Sequence, residues 1–195
     1  MSVPTPTDVT SVSAALAEAL ERAGIQYFVG GSVASSVHGA PRFTRDLDVV
    51  VDLSEARVPA FVEAAGPDFD IDEESLREEA RRRGSWNIFH VPSMLKIDLF
   101  FLKGDPFSAN QLARRVSIEI TPGKKVYFAS PEDTILRKLL WHREGNESSG
   151  QQIPDVVAVL KVKRGELDVD YLDQWAARLG VADLLARARA MAGGA

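Results

Sequence analysis

The sequence contains no cysteine. That absence excludes disulfides, thiolate metal sites and a cysteine nucleophile. It also lacks any apolar run longer than a few residues, such as 99–102, whereas a membrane-crossing helix needs about 20. The opening stretch MSVPTPTD has neither a basic start nor an apolar core, so no signal peptide is expected. An excess of positive charge is missing as well. The 23 Lys and Arg against 28 Asp and Glu give a net charge of -5, with a pI near 5.3. That balance argues against a dedicated nucleic-acid binder and leaves room for a basic cleft on an acidic body. A disulfide-free chain without a spanning segment is expected in the cytoplasm, with no membrane partner. The three histidines, His38, His90 and His142, show no metal-ligand spacing and are expected in packing or surface roles, with His38 nearest the candidate site.

What is present is ordinary globular material: 195 residues, 45% hydrophobic and 26% charged. A chain of this length buries roughly 70% of its unfolded surface and needs no staple. Helical spacing of Val12, Leu16, Ala19 and Leu20 marks a helix over 8–23, with Gly24 as its C-cap. Strands are expected at 27–29, 47–51, 86–91, 95–102, 117–120 and 126–129, with helices at 54–65 and about 110–115. The acids of 68–74 followed by Arg77 and Arg81 to Arg83 read as a solvated helix face. Only helical patterns follow Ser130: 131–143, 153–163, 171–179 and 182–191. The expected fold class is therefore α/β (α+β), a mixed sheet flanked by helices over 8–129, then a helical subdomain over 130–192, with tails at 1–7 and 193–195. Trp86, Trp141 and Trp175 are expected in the core.

The chemistry concentrates in 27–53, YFVGGSVASSVHGAPRFTRDLDVVVDL. A strand ends in Gly30-Gly31-Ser32 and a short helix follows. Such a junction brings backbone close to a phosphate and points free helix N–H groups at it. Asp46-Leu47-Asp48 then opens a strand. Side chains alternate along a strand, so the two aspartates share a face at a separation of about 6 to 7 Å. Aspartate is a poor strand residue, so two at the mouth of an apolar strand need an explanation. Asp98 lies within Leu95-Lys96-Ile97-Asp98-Leu99-Phe100-Phe101, on the face of Lys96 and Phe100. A carboxylate among so many apolar neighbours should have a partner. If its strand neighbours that of Asp46, three acids converge, each pair repelling by roughly 4 kcal/mol at 4 Å and an effective dielectric near 20. A divalent cation or protonation would relieve such a cluster. Oxygen-only ligands without thiols point to Mg²⁺ or Mn²⁺.

Gly30-Gly31-Ser32, thirteen residues, Asp46-x-Asp48 and a later Asp98 together resemble the nucleotidyltransferase superfamily with the DNA polymerase β-like fold. The resemblance covers about the first 130 residues. GGSVASSVHGAPRFTRDLDVVV, followed by SPEDTILRKLL from Ser130, is similar to the AbiEii/MenT-like branch of bacterial nucleotidyltransferases and toxins, and lincosamide-modifying enzymes share a similar layout. The resemblance implies that Asp46, Asp48 and Asp98 hold metal and carry catalysis, and that Gly30, Gly31 and Ser32 cradle phosphates. It also implies that Lys138 reaches the nucleotide phosphates, against a plain reading of Lys138 as a solvated lysine. Many relatives carry an Arg soon after the Gly-Ser. Here Ala34, Ser35 and Ser36 stand there, so Arg42 or Arg45 is expected to supply the cation. Arg143, Gln151 and Asp155 are softer candidates, Asp155 reading more simply as a helix-start acid.

The implied activity is EC 2.7.7-type transfer of NMP from a nucleoside triphosphate to a hydroxyl, releasing pyrophosphate. The acceptor expected of a toxin is a tRNA or a protein, with an antitoxin as possible partner. Two alternatives stand beside it: an antibiotic-modifying enzyme acting on a small hydroxylated molecule, and a catalytically silent nucleotide-binding module of a toxin–antitoxin system.

Overall fold

The structure is a computed structural model that describes residues 6–44, 46–146 and 150–193. By packing the chain divides into two units: Met1–Gly30 with Phe43–Phe128, and Gly31–Arg42 with Ala129–Ala195. The residues after Gly30 therefore group with the C-terminal helices. No described helix is long and apolar enough to cross a membrane.

The first unit is built on a mixed seven-stranded sheet. Its strands are β1 (Tyr27–Val29), β2 (Asp46–Val51), β3 (Phe69–Asp70), β4 (Ser85–His90), β5 (Leu95–Phe101), β6 (Val116–Thr121) and β7 (Lys124–Phe128). They lie in the order β3-β4-β5-β2-β1-β7-β6. β2 runs parallel to β5 and β1 parallel to β7; the other pairings are antiparallel. Four helices accompany it: α1 (Pro6–Arg22), α3 (Val58–Ala65), α4 (Glu73–Arg82) and α5 (Pro106–Arg114). Alternation along β2 and β5 buries Leu47, Val49, Val51, Ile97, Leu99 and Phe101 on one face. α1 presents Val12, Leu16 and Leu20 to the core. It stops where Gly24, at φ +67°, lets Ile25 N–H reach back 2.9 Å to the Leu20 carbonyl.

The second unit is helical: α2 (Gly31–His38), α6 (Pro131–Glu144), α7 (Gln152–Val162), α8 (Val169–Arg178) and α9 (Ala182–Met191). Ser130 caps α6 by accepting the Asp133 N–H at 3.0 Å. α2, α7 and α8 all pack on α6, so burial extends well beyond its Ile135, Leu136 and Leu139 stripe. Gly39 permits the tightest approach. A Cβ there would stand 2.9 Å from the Ser35 carbonyl oxygen and 3.0 Å from the Val159 amide nitrogen of α7.

Several expectations change. The helix expected over 54–65 is a 3₁₀ turn, Glu55–Arg57, followed by α3. β3 was not foreseen inside the acidic stretch, because two edge residues become a strand only by pairing with β4. Trp86, Trp141 and Trp175 are half-buried rather than core. Trp175 lies under the Arg178 guanidinium, 5.1 Å from its ring centre, which suits a ring with one wet edge. The solvated reading of α4 holds: Asp72 caps it through the Ser75 N–H at 2.7 Å, and Glu73 pairs with Arg77 at 2.6 Å.

Candidate functional site

β2 and β5 lie side by side in parallel register. Asp48 is aligned with Asp98, and Asp46 with Lys96. Aligned residues on neighbouring strands share a face, at a strand spacing of about 4.8 Å. Asp46 and Asp48 therefore share one face of the sheet with Asp98, which is distant in sequence, and with Lys96. Asn87 of β4 is aligned with Asp98 from the other side. Asp46 is exposed at the strand mouth and Asp48 half-buried. Apolar β-branched residues extend β2 behind them, which fixes the strand and leaves the acids at its open end.

Lys96 carries the charge partner that Asp98 requires. Its Nζ stands 3.0 Å from Asp98 Oδ2, with 38% of the lysine side chain exposed against 17% of the aspartate. The hydrogen bond to Asp98 is the main cause that raises the Lys96 pKa, and the fields of Asp98, Asp46 and Asp48 add to it. Gly30 joins this face through the backbone: its N–H donates to the Asp48 carbonyl at 2.9 Å. Gly31 follows at φ +54°, a left-handed conformation that glycine adopts without strain.

Among the described residues no three His, Asp or Glu side chains form a ready metal-ligand group. Asp98 is engaged by the Lys96 ammonium. In kind the donors suit a hard divalent cation. They are carboxylate oxygens, at the mouth of a strand.

The second unit has a cluster of the opposite sense, centred on Asp155. Arg42 donates to Asp155 through Nε and Nη2, both at 3.1 Å, in a two-point clamp. Lys138 Nζ is 2.7 Å from Asp155 Oδ2 and 3.2 Å from Gln152 Oε1. Arg42 also donates to the Ser32 hydroxyl, and Ser35 donates to Asp155 at 3.3 Å. Burial raises the Asp155 pKa, but hydrogen bonds from Arg42 and Lys138, with their charges, outweigh it. The carboxyl is held below its ordinary range.

Two plain readings of single residues are corrected here. Lys138 is not a solvated lysine: its side chain is 3% exposed, because α6 is covered on several sides. Asp155 is not a plain helix-start acid, since it anchors two cations. Arg143 pairs with Asp183 at 2.6 Å. Gln151 caps α7 without a side-chain bond, and its neighbour Gln152 meets Lys138 instead. Arg45 lies outside the described residues. His38 is a packing residue. It is buried, 2.7 Å from the Ala129 carbonyl oxygen, and burial lowers its pKa below the ordinary 6.5.

Comparison with known proteins adds the family. No curated protein sequence matches the chain. Among solved structures, an antigenic nucleotidyltransferase-like protein from Paracoccidioides brasiliensis is similar at 20% identity and a TM-score of 0.61, over 95% of this chain and 94% of that one. The antibiotic-resistance factor ANT(2'')-Ia is similar at 16% identity and a TM-score of 0.54, over 93% of this chain and 95% of that one. Likenesses at these identities concern the fold, a nucleotidyltransferase-like α/β architecture. A profile of the family described as "Nucleotidyl transferase AbiEii toxin, Type IV TA system" matches residues 14–190. With the match running over nearly the whole chain, this protein belongs to the AbiEii nucleotidyltransferase family.

Proposed function

We propose that this chain is a divalent-cation-dependent toxin that transfers NMP from a nucleoside triphosphate to a hydroxyl of a tRNA or a protein. The observation that supports it most is the alignment of Asp48 with Asp98, with Asp46 on the same face, in a member of the AbiEii family. In the reaction the acceptor oxygen forms a bond to the α-phosphorus. The bond to the bridging oxygen breaks, and pyrophosphate leaves with the electron pair. The hydroxyl proton passes to Asp98 or through it to water. Asp46, Asp48 and Asp98 would hold Mg²⁺ or Mn²⁺, which would draw charge off the phosphate oxygens. Lys96 Nζ holds Asp98 Oδ2 at 3.0 Å and so fixes the third carboxylate on this face.

In the second unit Arg42 and Lys138 exceed Asp155 by one positive charge. With the backbone of Gly30 and Gly31 and the hydroxyl of Ser32, and with Arg45, they are the proposed phosphate contacts. An antitoxin is the proposed protein partner, in keeping with the family, and the cytoplasm the proposed compartment. Likeness to ANT(2'')-Ia favours one second reading, a small hydroxylated acceptor.

The test is label transfer. The protein is incubated with Mg²⁺ and each nucleoside triphosphate carrying ³²P at the α-position, with pooled tRNA, a protein extract or a small hydroxylated antibiotic. Label on tRNA or protein, absent with γ-labelled nucleotide and absent for Asp48→Asn, is the expected result. Label only on the small antibiotic selects the second reading. Nucleotide binding without any transfer, or transfer that Asp48→Asn leaves unchanged, contradicts the proposal.

A further inference from the structure

The acid row holds an oddity that transfer chemistry does not call for. A lysine on a half-open strand normally extends its ammonium into water. Lys96 instead lies along its own strand to meet Asp98 two residues on, at 3.0 Å. Its aligned neighbour on β2 is Asp46, so it is flanked by acids on two sides. The fields of Asp46, Asp48 and Asp98 all act on this one ammonium.

We infer that Lys96 is a built-in counter-ion that occupies Asp98 until a divalent cation displaces it. It is a positioning residue: it holds the third carboxylate in place, and it sets how tightly the row binds a cation. The inference rests on the proposed metal role of the three aspartates. It adds that the resting protein holds its acids together without metal, and that metal binding must break an ion pair within the chain. Removing one positive charge from beside a doubly charged ion, with the water-like screening of a side chain this exposed, tightens binding by about tenfold.

The test is Mn²⁺ binding to the full chain, followed by the electron paramagnetic resonance signal of free Mn²⁺ in the absence of nucleotide. Lys96→Met is expected to bind Mn²⁺ about tenfold more tightly than wild type, and Lys96→Arg to match wild type. The gain should vanish when Lys96→Met is combined with Asp98→Asn and compared with Asp98→Asn alone. If Lys96→Met binds no more tightly while Asp48→Asn weakens binding, the inference is overturned and the metal reading stands. If Asp48→Asn binds as wild type does, both fall. A Lys96→Met protein that loses thermal stability without a change in Mn²⁺ affinity marks the pair as structural, which also overturns the inference.

Discussion

On the sheet, three carboxylates share a face with one lysine; in the helical unit, two cations share one carboxylate. The two clusters also differ in exposure. Asp46 is exposed and Lys96 is 38% exposed, whereas the Asp155 and Lys138 side chains are 9% and 3% exposed. Buried charge must be paired and hydrogen-bonded to persist, and the Asp155 cluster meets that demand with four donor groups. The sheet face tolerates surplus charge because water screens it. On this contrast, loss of the buried cluster's carboxylate is expected to cost stability, and loss of a sheet carboxylate to cost the proposed activity.

The largest expected effect lies on the sheet. Asp48→Asn should reduce label transfer by about a thousandfold or more, the scale of losing a metal's several kcal/mol of charge stabilisation. Its thermal midpoint should stay unchanged or rise, because repulsion within the row falls. A matching collapse of stability would erase the contrast between the clusters. Next comes Asp155→Ala, which leaves Lys138 buried without its counter-ion. It should cost about 3 kcal/mol, read as a lower midpoint in urea unfolding.

A pH series sharpens the comparison further. Two buried groups of the helical unit have folded pKa values below their unfolded ones: His38 through burial, Asp155 through Arg42 and Lys138 against its burial. For each, the unfolded chain takes up a proton first as pH falls. Stability is therefore full above the unfolded pKa and declines below it, beginning near 6.5 for His38 and again below the ordinary carboxylate range for Asp155. Urea midpoints at pH 7.5 and 5.5 should show the first decline, and His38→Gln should flatten it. The smallest effect is Gly31→Ala, where a left-handed φ costs a side chain about 1 kcal/mol. It should appear as a small drop in the thermal midpoint.

Much of this was legible in the sequence. Period-two alternation about Asp98 and the DxD at the head of β2 gave both strands and the shared face. Strand adjacency was left conditional, because alternation fixes a residue's face and not its neighbour; the parallel register of β2 and β5 is a tertiary fact. Lys96 stood on the face of Asp98 in the pattern, yet its ion pair depends on which way a flexible side chain turns. The helical unit was harder to read. An amphipathic stripe on α6 was visible, but coverage by three helices was not, so Lys138 looked solvated. Asp155 pairs with Arg42, 113 positions earlier, a separation that no local pattern encodes. The half-buried tryptophans follow the same logic, since ring size favours burial but does not guarantee a place in the centre.

The most direct test of the account is an anomalous difference map from crystals soaked in Mn²⁺ with a non-hydrolysable nucleoside triphosphate. The account predicts a peak bordered by the carboxylates of Asp46, Asp48 and Asp98, with the Lys96 ammonium moved off Asp98. A bound nucleotide with no peak at these acids, and Lys96 still on Asp98, would contradict it.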